Sequence, residues 1–323
     1  MLRAFTFFCA TFLSTSLCFS EQTPPSNSSK LKSEKPAKEV KTVRLLTVGN
    51  SFSRNATHYL GDIVKADGNV LIHCSIYVGG ASLQLHIEKA EKHEANPTDK
   101  AGLYETGRSL KDDLLAEPWN YITIQQASIK SHDVSTYRPY AQQLQDYIKR
   151  YSPNATIIMH QTWAYRVDDP RFSRKTPKAG EPKTQEEMYQ GLRSAYQTIA
   201  DELKINIIPV GDALYLADTD PVWGFKPDAS FDSKKLQYPN LPTQKHSLHM
   251  GWQWKKQKDQ WKISMDGHHA NVAGEYLGAC VFYETLFHET SVGNTFTPKG
   301  LDPDYAHFLQ EIAHKTVAKR EQK

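Results

Sequence analysis

The chain has 323 residues, with 39 Lys and Arg against 36 Asp and Glu, for a formal net charge of +3. That length admits one large domain or two small ones and a sizeable core. So small a charge, without a basic block or stripe, argues against a nucleic-acid partner.

The first twenty residues read as a signal peptide: Arg3 supplies the positive end, and residues 4–19 form an apolar stretch too short for a comfortable membrane span. Small residues at Cys18 and Ser20 place cleavage before Glu21. A lipoprotein signal at Cys18 is the weaker reading, because the large Leu17 precedes it. Export to a periplasm or the medium is therefore expected, with no integral membrane span once the leader is removed. Residues 21–42 are rich in Pro, Ser and Lys and lack an apolar period, so they read as a disordered tether. Cys74 and Cys280 remain in the mature chain. They are two buried thiols or a disulfide, and their apolar surroundings favour the first.

From residue 43 strands and helices alternate. The run 43–48 leads through Gly49-Asn50-Ser51 into a helix over 54–66, with Ala56, Tyr59, Leu60, Ile63 and Val64 on one face. A strand over 70–78 leads through a Gly-Gly turn to a helix over 82–93, and a short helix follows at 109–117. Further strands are predicted at 120–125, 155–160 and 205–210. The helices between and after them fall at 137–150, at 184–204, and from near Asp212. Five such units predict an α/β fold: a three-layer α/β/α sandwich on a five-stranded parallel sheet, flavodoxin-like in arrangement.

Residues 218–261 break the alternation. They are Lys-rich, poorly periodic and aromatic, with Trp223, Phe225, Phe231, Trp252, Trp254 and Trp261, which suits an ordered cover or lid. A helix then carries Val272, Tyr276, Cys280, Tyr283 and Phe287 on one face. A weaker amphipathic helix at about 303–318 lies in a C-terminal extension, 291–323.

In a sheet of this kind the reactive groups gather beyond the carboxyl ends of the strands. Ser51 stands there, after the first strand. Its bland reading is a helix cap. A serine becomes a nucleophile only with a base and a place for negative charge. Asp266 and His269, three residues apart before the last core helix, offer a carboxylate that can fold back on an imidazole. Gly80 in "VGGAS" can bring a backbone N–H close to a substrate, and "IQQAS" (124–128) sets amide side chains at the same edge. The histidines at 246, 249, 268 and 269 lack an acidic cluster with metal-ligand spacing.

Together these blocks resemble the SGNH (GDSL-type) hydrolase superfamily, over about residues 43–290, and a bacterial branch of exported SGNH-like domains in particular. "GNSF" resembles the first block, with Asn50 where Asp is usual. "VGGAS" resembles the second and "DGHHAN" the last. The resemblance implies a serine esterase or acetylesterase with no metal or cofactor. It implies a triad of Ser51, His269 and Asp266, with oxyanion donors from Ser51 and Gly80. The third block departs, because "QQASIK" has no Asn; Gln125 is the expected donor, with Gln126 and Ser128 as rivals. The expected substrate is a small-molecule or polysaccharide ester, with Trp163 as a stacking platform or else an edge aromatic. The alternative is a non-catalytic carbohydrate-binding or surface protein that keeps the fold.

Overall fold

Five apolar runs become parallel strands because the helices between them return the chain to the same end of the sheet. In the computed structural model, which describes residues 38–176 and 180–321, these are β1 (Thr42–Gly49), β2 (Val70–Tyr77), β3 (Tyr121–Ile124), β4 (Thr156–His160) and β5 (Asn206–Ile208). The expected leader and most of the tether lie outside the described residues. The sheet order is β2-β1-β3-β4-β5, with every pairing parallel. Consecutive as well as alternate residues are buried, Leu45 and Leu46 among them, as in a sheet covered on both faces.

The covering helices are α1 (Ser51–Ala56), α2 (Leu60–Ala66), α3 (Leu83–Ala95), α4 (Leu110–Leu114), α5 (Tyr140–Tyr151), α6 (Gln185–Leu203), α7 (Val210–Asp218), α8 (Val272–Phe287) and α9 (Pro303–Glu321). Helices α3 to α6 pack together as one layer; α1, α2, α8 and α9 form the other, with α7 against α8 and α9. The expected three-layer α/β/α architecture is thus the observed one. It fixes where a site belongs. The chain leaves β1 for β2 on one side and then crosses to β3 on the other, so the sheet order reverses between β1 and β3. Ligand crevices open at the carboxyl ends of strands at such a point.

Four local features differ from the sequence reading. The helix expected over 54–66 is two, broken at Thr57. The Thr57 hydroxyl donates to the Ser53 carbonyl (2.8 Å), the back-bonding by which Thr competes with a helix. Helix α8 is buried almost all round rather than on one face, because α1 and α2 flank it on one side and α7 and α9 on the other. Val272, expected on its buried face, is 40% exposed. The C-terminal helix belongs to the core of the compact unit that begins at Val40: Tyr305, Leu309 and Ala313 are buried, and the Gln310 amide donates to the Tyr276 hydroxyl at 2.8 Å.

The fourth difference is in the aromatic segment. Its end pairs with the residues that follow as an antiparallel hairpin, β6 (His249–Gln257) and β7 (Gln260–Ala270). The strands meet at Lys258-Asp259, with Lys258 at φ 55°. Asn-Gly and Asp-Gly are the usual residues for a tight hairpin turn, so the signal was faint. The remaining aromatics moor the cover. Trp223 stacks on Tyr305 and Phe308 of α9, Phe231 contacts Trp252, and Tyr238 stacks on Trp261. Cys74 and Cys280 are free thiols. No helix among the described residues is long and apolar enough to cross a membrane.

Candidate active site

The turn after β1 is built from backbone needs first. Asn50 caps α1: its side-chain oxygen accepts from Phe52 N–H at 2.9 Å, and its amide nitrogen donates to the Ala81 carbonyl at 2.8 Å. The first bond fixes which end of the amide is which. Gln125, at the end of β3, then donates its amide nitrogen to Asn50 Oδ1 at 2.7 Å. Its own oxygen therefore faces the other way, and an amide oxygen only accepts. The Ser53 hydroxyl and His160 Nδ1–H, the latter at 2.9 Å, donate to it. All four side chains are at most 2% exposed. Burial pushes the His160 pKa down to about 3, so the ring is neutral. Gly49 has no freedom to vary: a Cβ there would lie 2.0 Å from Ser53 Oγ.

Ser51, the first residue of α1, stands on this platform with its hydroxyl toward β7. Its Oγ is 2.9 Å from His269 Nε2, and His269 Nδ1 is 2.9 Å from Asp266 Oδ2. A carboxylate accepts, so Nδ1 carries the proton and Nε2 is left bare to receive the serine hydrogen. Asp266 Oδ1 also accepts from the backbone N–H of His269 at 3.0 Å. Burial alone would raise the Asp266 pKa. The hydrogen bonds from His269, with His268 nearby, outweigh it and hold the carboxyl well below the usual carboxylate range.

The other expected site residues are distributed as follows. Gly80 is exposed, with φ +67° at the third position of the Val78–Ala81 turn, where glycine is favoured. Its N–H has no hydrogen-bond partner among the described residues. Gln125 is inside the network just described, with its nitrogen on Asn50. Gln126 is also internal: it accepts from Ala127 N–H and donates to the Thr136 carbonyl, both at 2.8 Å. Ser128 Oγ is 3.0 Å from the Tyr165 hydroxyl. Trp163 is 1% exposed, so it presents no ring face to a sugar. It buttresses the site from below: its indole N–H donates to the His268 carbonyl at 2.9 Å, and its ring centroid is 4.3 Å from that of Phe52.

Several residues of the site carried no separate signal in the sequence. Ser53 and His160 complete the Gln125 network, which no spacing announces. Asp169 lies against Gly267, where a Cβ would meet its carboxylate at 2.4 Å. Asn271, the last letter of "DGHHAN", caps α8 and donates to the Ser247 carbonyl at 2.6 Å, which ties the histidine segment to the start of β6. An Asn before an apolar helix was the one cue for it. As for metals, Asp266, His268 and His269 are the one set of ligand-type side chains close enough together among the described residues. Both ring nitrogens of His269 are already engaged by Ser51 and Asp266, which disfavours that use. His249 is buried, its Nε2 3.1 Å from the Ala164 carbonyl, and His246 packs on Trp223 and Tyr305.

Residues 44–239, more than half of the chain, match the DUF4886 family, described as a domain of unknown function. The chain belongs to that family. A DUF4886 family protein from Bacteroides uniformis ATCC 8492 is 26% identical over 86% of this chain and 95% of its own, with a TM-score of 0.65. A periplasmic domain of lipopolysaccharide acetyltransferase from Salmonella ser. Paratyphi A is 11% identical, covering 76% of this chain and 83% of its own (TM-score 0.43). A member of the lipolytic protein G-D-S-L family from Veillonella parvula DSM 2008 is 14% identical, covering 76% and 100% (TM-score 0.39). No curated protein matches the sequence. The folded chain has a parallel five-stranded sheet, a serine turn after β1 and the D-x-x-H segment just before α8.

Proposed function

We propose that this protein is an exported serine ester hydrolase of SGNH type. The hydrogen-bonded line Ser51–His269–Asp266 carries the reading, because it joins a hydroxyl, a neutral imidazole nitrogen and an ionised carboxylate in the order that acyl transfer needs. Ser51 Oγ attacks an acyl carbon as its proton passes to His269 Nε2. The imidazolium so formed is stabilised by Asp266, which stays ionised. The carbonyl oxygen becomes an oxyanion, and the N–H groups of Ser51 and Gly80 donate to it. Collapse expels the alcohol, which takes the proton from His269. Water then attacks the acyl-enzyme by the same route and releases the acid.

Export rests on the leader-like residues 1–20. Acylated carbohydrate is the proposed substrate class, since an exported protein meets glycans, and Trp261 of the hairpin and Tyr238 of the cover segment are 43% and 51% exposed. The deciding experiment is labelling with a fluorophosphonate and mapping the adduct by mass spectrometry. Modification at Ser51 and turnover of p-nitrophenyl acetate are expected, both lost in Ser51→Ala. A folded wild-type protein that neither labels nor turns over is the binding protein of the alternative reading instead.

A further inference from the structure

The hairpin has two unlike faces. Cross-strand neighbours share a face, and from Gly251–Asp266 outward the register is unbroken. One face holds Trp252 with Met265, Trp254 with Ile263, and Lys256 with Trp261. The cover segment packs on it: Phe231 meets Trp252, Tyr238 meets Trp254 and Trp261, and the Trp254 indole donates to the Asn240 carbonyl at 2.7 Å. The other face holds Lys255 opposite Lys262, then Gln253 opposite Ser264, then Gly251 opposite Asp266 of the triad.

Lys255 and Lys262 are both exposed, and neither ammonium has an ion pair or hydrogen bond among the described residues. Like charges directly opposite on a sheet destabilise it. Lys256 and Lys258 lie nearby, and Asp259 is the one acid at the tip. Positive potential is therefore concentrated on a strand that leads without interruption to the catalytic carboxylate. Asp266 stands four positions along β7 from Lys262, about 13 Å of extended chain. The side chains between them on this face are the Gln253 amide and the Ser264 hydroxyl, which suit sugar hydroxyls better than an acyl chain or a lipid tail.

We infer that the Lys255–Lys262 face of the hairpin is an anionic-glycan subsite, which holds a carboxylate-bearing sugar of the same chain whose ester is presented to Ser51. The inference rests on the hydrolase reading for its purpose, but the site is testable without turnover. An acidic polysaccharide supplies carboxylates at regular intervals, so one can reach the lysine pair while a neighbouring acylated unit lies at the triad. Bound anion also removes the repulsion between the two lysines, so the hairpin gains stability on binding.

The test uses the full chain carrying Ser51→Ala, titrated with oligogalacturonate by calorimetry, with a neutral dextran of like length as the comparison. Oligogalacturonate should bind at least tenfold more tightly than dextran, and the affinity should fall as salt rises. Lys255→Gln with Lys262→Gln should weaken it at least tenfold, and Lys255→Arg with Lys262→Arg should restore it. Thermal melting of each variant reports that it is folded. Equal binding of dextran, no binding of oligogalacturonate, or indifference to the double Gln variant overturns the subsite. Binding to phosphatidylglycerol vesicles in preference to oligogalacturonate overturns it as well, in favour of a membrane surface. Fluorophosphonate labelling of Ser51 stands or falls separately, so failure of the subsite is distinguishable from failure of the hydrolase.

Discussion

The two halves of the candidate site are held by different physics. The serine half is a buried polar platform: Asn50, Ser53, Gln125 and His160 satisfy one another at the carboxyl edge of the sheet, shielded from water. The base half is a partly exposed arm: Asp266 and His269 sit at the root of a two-stranded hairpin, moored by aromatic stacking and by Arg166. That guanidinium, 0% exposed, makes a double contact with Asp168, bonds Gln244 at 2.8 Å and lies 4.3 Å over the Phe225 ring. A buried polar network fixes geometry strongly and fails expensively when one member is lost. A moored hairpin, since two strands alone are marginal, is the half that can yield. On the proposed mechanism the nucleophile, Ser51, is set on the rigid half, and the base, His269, which must gain and lose a proton, is set on the adjustable one.

The comparison breaks most sharply at the line that joins the halves. Ser51→Ala or His269→Ala should each cut esterase turnover by about a million-fold without unfolding the chain, since either removes the whole proton-transfer pathway. Single-turnover assays with p-nitrophenyl acetate measure this. Asp266→Asn should cost about ten-thousand-fold in kcat, because an amide can hold His269 in the wrong tautomer. A loss under tenfold for Asp266→Asn would mean that the carboxylate is only a strut.

A next, smaller effect separates platform from arm. Gln125→Ala strands Ser53, His160 and Asn50 together, and should destabilise the fold by on the order of 3 kcal/mol. Its kcat, corrected for the folded fraction, should fall by less than about tenfold. Were Gln125 instead the third oxyanion donor, kcat would drop about a hundred-fold or more with the melting temperature little changed. Melting and kinetics on the same variant decide the matter. On the arm, Gly251 has φ +69°, and a Cβ there would lie 2.2 Å from Arg166 Nη1. Gly251→Ala should therefore loosen the hairpin while sparing the sheet. Hydrogen exchange should rise over β6 and β7 and stay unchanged in β1 and β3, and turnover should fall because Asp266 is the cross-strand partner of Gly251.

The smallest effect is a pH dependence from the platform. His160 stays neutral in the folded chain to about pH 3, and His86, wholly buried, to about pH 4, whereas an exposed histidine protonates near 6.5. Below 6.5 the unfolded chain therefore binds more protons, and the folded chain loses stability as pH falls from 6.5 toward 3. His160→Gln keeps a donor for Gln125 and removes one of these groups. Its melting temperature should change less steeply between pH 6.5 and 4 than that of the wild type.

Much of the site was legible because its determinants are local. The turn at Gly49-Asn50-Ser51 is dictated by a strand ending and a helix beginning, which need a capping side chain at that place. The three-residue step from Asp266 to His269 is likewise a local geometry, and the five apolar runs with helices between them leave little but a parallel sheet. What the tertiary structure alone decided is long-range. Gln125 reads as a strand-end amide free to face a substrate. Its neighbours come from two other places in the chain, Asn50 and Ser53 at the turn after β1 and His160 at the end of β4, and together they take up its oxygen and bond its nitrogen. Trp163 reads as a stacking platform or a partly buried edge aromatic, but Phe52 and the His268 carbonyl close over it. Lys255 and Lys262 are two of many lysines in the sequence. They become a pair only because β6 and β7 share a register, and register depends on a cover segment that holds one face of the hairpin and leaves the other to solvent.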